Sequence, residues 1–462
     1  MLTEAHRAVE PIGEAHDDAR FFALLRAREL ARVDRARQTY LDWTGSALHP
    51  ESLVRRHAQS LHETVLGNPH SDSLASRAST SLIEAARTAV LRFLDASSDE
   101  YDVCFCANAS GALRLVGEAY PFGRGSQLVL AADNHNSVNG IRTWARTAGA
   151  TVRVLPLDDQ LRLQGGTTAL GTERVTAPSL VAFPAQSNFS GVRHPLELVR
   201  RAHDLGFDVL LDAAAFLPTS PLSLREARAD FVALSVYKIV GYPSGIGALV
   251  ARREALAKLR RPSFSGGTVD AVSAWDDVHV LKRDSEAFED GTVNFLGVAA
   301  VPAALEFMTS LGMSRISRRV SALARDLRDG LASLRHRNGA PLAALYGANG
   351  DDHGATIAFN VLDANGSVVP YWQVEERARE MRVSVRGGCF CNPGAAERAL
   401  GIDSEALADC LRVARDRQRA FSHAWLAECL GTPVGALRIS LGYGSNSTDI
   451  SRGLSLLEHW RV

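Results

Sequence analysis

The sequence predicts an α/β protein: a large domain built on a mainly parallel sheet, followed by a smaller α+β domain. Three observations carry this. Short apolar runs alternate with helical segments from about residue 100 to residue 251, the pattern of parallel strands joined by crossover helices. Beyond about residue 296 the texture changes to long helices, then to a mixture of strands and helices. The chain has 462 residues and is 46% hydrophobic, enough for more than one core.

The elements follow in order. Residues 20–38 read as a charged helix leading into a short strand, Tyr40-Leu-Asp-Trp43. A long amphipathic helix is expected over 73–94. Strand 103–106 precedes a helix over 111–119, and strand 128–130 precedes a helix over 138–147. Strand 152–154 comes next, and strand 180–183 leads to a helix over 195–205. Strands at 208–211, 231–235 and 246–251 close the alternating part. Helices over 298–311 and 315–334 and strands near 356–359 and 437–440 complete the reading. The expected organisation is an N-terminal helical segment, 1–40, packed on the small domain, a large domain, 41–304, and a small domain, 305–462.

Composition excludes several classes. With 51 basic against 52 acidic side chains, no nucleic-acid track or membrane-binding surface is expected. No stretch resembles a transmembrane span, and the first residues lack the basic-then-apolar pattern of a signal peptide, so a cytoplasmic protein is expected. Six cysteines are too sparse for a disulfide scaffold, and reduced thiols are expected.

Lysine usage is the sharpest chemical signal. Lys238, Lys258 and Lys282 are the only lysines in the chain. Lys238 ends the apolar run 230–237 and opens the turn Gly241-Tyr-Pro-Ser-Gly-Ile-Gly247. Arginine holds its proton at any ordinary pH, whereas a desolvated lysine can become a neutral amine and form an imine. A lysine snorkelling from a strand end is the competing reading. Asp212 ends another apolar run, Phe207-Asp-Val-Leu-Leu211. A carboxylate there needs a cation or hydrogen-bond donors, or else it serves as a cap. Together the pair suits pyridoxal 5′-phosphate (PLP), whose aldehyde condenses with lysine and whose ring nitrogen keeps its proton against an aspartate.

Other residues fit the same ligand less specifically. The turn Phe105-Cys-Ala-Asn-Ala-Ser-Gly111 offers amides near Ala109 and the Ser110 hydroxyl to a phosphate, though serine is also a common cap. Ser235 is a second candidate hydroxyl. His135 can stack on the ring, and Asn188 can reach the ring hydroxyl; each also reads as an ordinary turn residue. Cys104 and Cys106 share one face of a strand and read as core. Their spacing does not match zinc sites, and no metal is expected.

The segment Val385-Arg-Gly-Gly-Cys-Phe-Cys-Asn-Pro-Gly394 reads as a flexible or turning loop. Arg386 adds positive charge that favours a thiolate nearby. Arg438, on the strand 437–440, suits a carboxylate as well as a core ion pair.

Taken together, these segments resemble the PLP-dependent cysteine desulfurases of aminotransferase class V. Within them they most resemble the N-terminal desulfurase domain of the molybdenum cofactor sulfurases. The strings that carry it include Tyr40-Leu-Asp, Gly67-Asn-Pro-His-Ser71, Phe183-Pro-Ala-Gln-Ser-Asn-Phe-Ser-Gly191, Phe288-Glu-Asp-Gly-Thr292, Gly388-Cys-Phe-Cys-Asn-Pro-Gly394 and Arg438-Ile-Ser-Leu-Gly442. The resemblance implies PLP transferase fold type I, with Lys238 as the cofactor lysine, Asp212 on the pyridine nitrogen and His135 on the ring. It implies Ser110, Ser235 and Thr292 at the phosphate, Thr292 coming from a second subunit of a homodimer. It implies Cys391 as the persulfide carrier, Arg438 on the carboxylate of L-cysteine, and L-alanine as product. A lyase or epimerase of the same fold, or a sulfur donor to a specialised metabolite, are the alternatives. Asn108, where relatives usually have glycine, and Ala215 depart from the family pattern. The acceptor-binding domain of those relatives is absent before Val462, which leaves the sulfur acceptor open: molybdenum cofactor, a carrier protein or a small molecule.

Overall fold

The computed structural model describes residues 18–347, 350, 352–416 and 421–462. Its centre is a seven-stranded sheet ordered Tyr101–Cys106, Gly247–Arg252, Phe231–Ser235, Asp208–Asp212, Leu180–Pro184, Gln127–Ala131, Thr151–Leu155. All strands run one way except Gly247–Arg252, which is antiparallel to both neighbours. The middle strands are buried along their whole length because helices cover both faces. Alternate residues accordingly enter different cores: Val181, Phe183, Leu211 and Val232 on one side, Leu180, Ala182, Leu210 and Phe231 on the other.

A second, antiparallel sheet of four strands is ordered Ala343–Tyr346, Thr356–Val361, Ala436–Ser440, Arg386–Gly388. Its register sets Arg386 directly opposite Arg438. The N-terminal segment joins this sheet's side of the molecule: Thr39–Tyr40 pairs in parallel with Val383–Ser384, and Asp42 bridges to Ser440. Helix Asp18–Glu29 is fastened there by Arg26 to Asp449 at 2.5 Å and Arg315 to Asp18 at 2.6 Å. The boundary expected at 304/305 falls inside helix Val301–Leu311.

Local departures have local causes. The helix expected over 20–38 is split at Leu30, where φ is −129°, into Asp18–Glu29 and Ala31–Arg35. Buried Glu29 turns there to accept from the Ser52 amide at 2.9 Å. The strand expected at 40–43 shortens to Thr39–Tyr40, because the chain crosses at Asp42 from one partner strand to another. Reduced thiols throughout are not what the structure holds: Cys410 and Cys429 form a disulfide between helices Ser404–Asp416 and His423–Leu430. Helical packing brings these two side chains together, a proximity that spacing in the sequence does not reveal. Cys104 is buried, and Cys106 packs against the same core.

Candidate active site

Three strand ends converge at the carboxyl edge of the large sheet, where ligands sit in folds of this kind. Asp212 is the last residue of Asp208–Asp212 and is 8% exposed. Its side chain accepts one hydrogen bond, from the Ala214 amide at 3.0 Å. Lys238 lies in the single helical turn Val236–Val240 that follows strand Phe231–Ser235. Among the described residues its amine has no hydrogen-bond or ion-pair partner. Burial lowers its proton affinity, Arg438 and Arg386 lower it further, and Asp212 and Cys391 oppose them. The net direction is toward the neutral amine that the sequence points to.

His135 begins the short helix Asn136–Asn139, and its Nδ1 accepts from the Ser137 amide at 3.1 Å. Burial depresses its pKa, and Lys238 and Arg438 act in the same direction. Ser235 is buried, and its hydroxyl accepts from the Ala109 amide at 2.8 Å. The Ala109 N–H is thus already engaged. Ser110 is exposed, with its Oγ 2.6 Å from Ser137 Oγ. Thr292 is exposed and accepts from Asn68 at 3.3 Å, outside this group.

The cysteine loop is a tight, docked turn rather than a free one. Asn392 N–H closes it on Cys389 O at 2.9 Å, and Phe390 and Cys391 both take left-handed backbone, with φ of 54° and 56°. Such backbone costs on the order of 1–3 kcal/mol for each non-glycine residue and persists only where surroundings hold it. The surroundings do so here. Asn136 N–H donates to Cys391 O at 2.7 Å, Asn188 Nδ2 donates to Phe390 O at 2.7 Å, and Asn392 Nδ2 donates to Asp133 O at 2.6 Å and to Asn188 Oδ1 at 2.9 Å. Phe390 packs on Phe189 and beneath the Arg438 guanidinium. Cys391 is left exposed, whereas Cys389 is half-buried and burial raises its pKa. Asn188, expected at a ring hydroxyl, instead commits both ends of its side chain to this loop.

Arg438 is 2% exposed. It donates through Nη1 to Asn188 O at 2.9 Å and through Nη2 to Asp42 at 3.0 Å, while its buried Nε has no partner among the described residues. Arg386 grips the same Asp42 at 2.6 Å. Asp42, in the Tyr40-Leu-Asp string, and Asn392 are site residues that local sequence pattern does not single out. Two arginines near one site, in need of a counter-ion, were the available signal for Asp42.

The fit to a carbonyl-bearing cofactor with a protonated ring nitrogen rests on unmet groups. A buried carboxylate with one backbone donor stands near a lysine with none, and the two are not within ion-pair distance of each other. A hollow of about 520 Å³ lined by His70, Arg87, Lys282 and Glu289 includes none of these residues.

Comparison with known proteins agrees with this layout. A family model described as Aminotransferase class-V matches residues 39–452. The chain is 39% identical over 452 residues to a molybdenum cofactor sulfurase of Bos taurus, covering 92% of this chain and 50% of that one. It is 34% identical to one of Solanum lycopersicum, covering 94% and 56%. The chain thus spans about half the length of these curated relatives. Among solved structures, an apo cysteine desulfurase from Thermococcus onnurineus NA1 superposes with a TM-score of 0.76 at 24% identity, covering 95% of this chain and 98% of that one. The cysteine desulfurase CsdA of Escherichia coli gives 0.74 at 22%, covering 96% and 98%. The fold is therefore that of fold type I.

Proposed function

The chain belongs to the aminotransferase class-V family, and from that premise we propose that it is a PLP-dependent L-cysteine desulfurase. The observation that carries the reading is a Lys238 amine with no partner among the described residues, close enough to the Asp212 carboxylate and to the exposed thiol of a docked Cys391 loop for both to act on its charge. Lys238 would hold the cofactor, Asp212 its ring nitrogen, and Ser110 and Ser235 its phosphate, with His135 over the ring. Thr292 would serve the site of a second copy, which is why a homodimer belongs to the proposal. When bound, the cofactor supplies an electron sink for the bond broken at the substrate α-carbon.

The chain's own groups do the rest. Arg438, with its free Nε, holds the carboxylate of L-cysteine. The Lys238 amine takes the α-proton and later returns a proton to carbon. The Cys391 thiolate attacks the substrate sulfur; the carbon–sulfur bond breaks with its electron pair on the β-carbon, which takes up the proton given up by the substrate thiol, and alanine leaves while the sulfur stays on Cys391 as a persulfide for an acceptor. The relatives named for molybdenum cofactor sulfuration make that cofactor one candidate acceptor, beside a carrier protein or small molecule. The test is incubation of purified protein with L-cysteine while alanine and sulfide are measured together. Equal amounts of both are expected under a thiol reductant. Pyruvate in place of alanine would turn the reading toward a lyase.

A further inference from the structure

Arg386 and Arg438 face each other across neighbouring antiparallel strands, an arrangement in which like charges repel. What holds them is Asp42, delivered from 344 and 396 residues away in the chain. Its carboxylate takes Arg386 Nε at 3.1 and 3.0 Å and Nη2 at 2.6 Å, and Arg438 Nη2 at 3.0 Å. The fit is close enough that a Cβ on Gly45 would sit 2.6 Å from both Arg386 Nη2 and Asp42 Oδ2. Glu375, the other carboxylate near Arg386, is occupied by the Gly387 amide at 2.6 Å. Within ion-pair distance, two guanidinium groups share one carboxylate, so the Asp42 cluster itself carries one positive charge, with Glu375 the next carboxylate out. Two donors of the cluster have no partner among the described residues: Arg438 Nε, which is buried, and Nη1 of the half-exposed Arg386.

We infer that Asp42 is a positioning and specificity-determining residue: it neutralises one arginine, so the pocket takes amino acids with one carboxylate in preference to those with two acidic groups. The inference rests on the reading of Arg438 as the substrate-carboxylate site. With Asp42 uncharged, the same two arginines would accept a second anion, such as a side-chain carboxylate or sulfinate.

The test uses the holoenzyme and two probes of similar size, propionate and malonate, titrated calorimetrically. Wild type binds propionate at least as tightly as malonate. Asp42→Asn shifts the ratio of the two dissociation constants toward malonate by about tenfold, the scale of one charge-assisted hydrogen bond. Arg386→Gln leaves Arg438 untouched but removes the surplus charge, and weakens propionate by about tenfold. Combining it with Asp42→Asn restores propionate binding, and this pair decides the matter if Asp42→Asn alone does not fold. An unchanged propionate-to-malonate ratio, a double variant no better than Arg386→Gln, or a wild type that binds neither probe would overturn the inference. Alanine release from L-cysteine by wild type is scored separately. Its absence with the charge rule intact removes only the desulfurase reading, and its presence with the rule broken removes only this one.

Discussion

The carboxyl edge of the seven-stranded sheet and the seam with the four-stranded sheet contribute to one site by different means. On the edge, Asp212 and Lys238 each sit within three residues of a strand's last position. Their placement follows from local pattern, and their chemistry from a missing partner. On the seam, Asn188 meets Phe390 across 202 positions, Asn392 meets Asp133 across 259, and Arg438 meets Asp42 across 396. The edge supplies an amine with no partner among the described residues, Lys238, and a buried carboxylate with one backbone donor, Asp212. The seam is densely paired, and its pairing is what sets Cys391 and Arg438 in place.

The largest effect belongs to the edge. Lys238→Ala should abolish the imine absorbance and all turnover, since Lys258 and Lys282 are committed to Asp208 at 2.6 Å and Glu286 at 2.9 Å elsewhere. Borohydride trapping of cofactor on either of those lysines in the variant would break the edge assignment.

Next comes the seam's reactive group. Cys391→Ser should keep cofactor absorbance and substrate binding but release no sulfide, because a hydroxyl forms no stable persulfide. Cys389→Ser should keep most activity, as that thiol is half-buried and its pKa is raised by burial. Exchanged outcomes for the two variants would place the sulfur on the wrong cysteine.

A smaller effect isolates the clasp. Asn392→Asp keeps an acceptor for the Ala395 amide at the start of helix Pro393–Leu400 but loses the donors to Asp133 O and Asn188. Sulfide release should fall about tenfold, the scale of one buried hydrogen bond left unmade, while affinity for L-cysteine changes little. Affinity and rate falling together would mean that the clasp supports the whole crevice rather than the loop.

How much of this was legible follows the same division. The strands from 103 to 251 were readable because buried parallel strands leave continuous apolar runs, and Lys238 and Asp212 were readable because each ends such a run. Helices Glu51–Glu63, Tyr371–Glu380 and Ser447–Leu457 were not read, being mostly polar in sequence and outside the strand–helix alternation. The loop's glycines and Asn-Pro-Gly announced a turn, but its rigidity depends on Asn136 and Asn188, which no local pattern links to it. Asp42 ends a motif whose role is visible only once the register sets Arg386 against Arg438.

The last prediction tests the seam's stability rather than its chemistry. His353 bridges Val192 in the turn that carries Asn188, and the neighbouring amides of Arg193 and Gly354 close the same seam at 2.7 Å each. Its Nδ1 donates to Gly354 O at 2.7 Å, while Nε2 accepts from Arg328 at 3.2 Å, so both ring nitrogens are used in the neutral form. Burial, and then Arg328, lower its pKa from 6.5 to about 4. The unfolded chain therefore takes the proton first as pH falls. Stability is intact above 6.5, is lost progressively between 6.5 and 4, and changes no further below that on account of this group. The limiting slope is about 1.4 kcal/mol per pH unit, so roughly 2 kcal/mol should disappear between pH 7 and pH 5. Denaturant unfolding at the two pH values measures it, and His353→Gln, which cannot titrate, should flatten the difference. Wild type and variant losing stability in parallel would assign the acid sensitivity to carboxylates elsewhere and leave the seam indifferent to pH in this range.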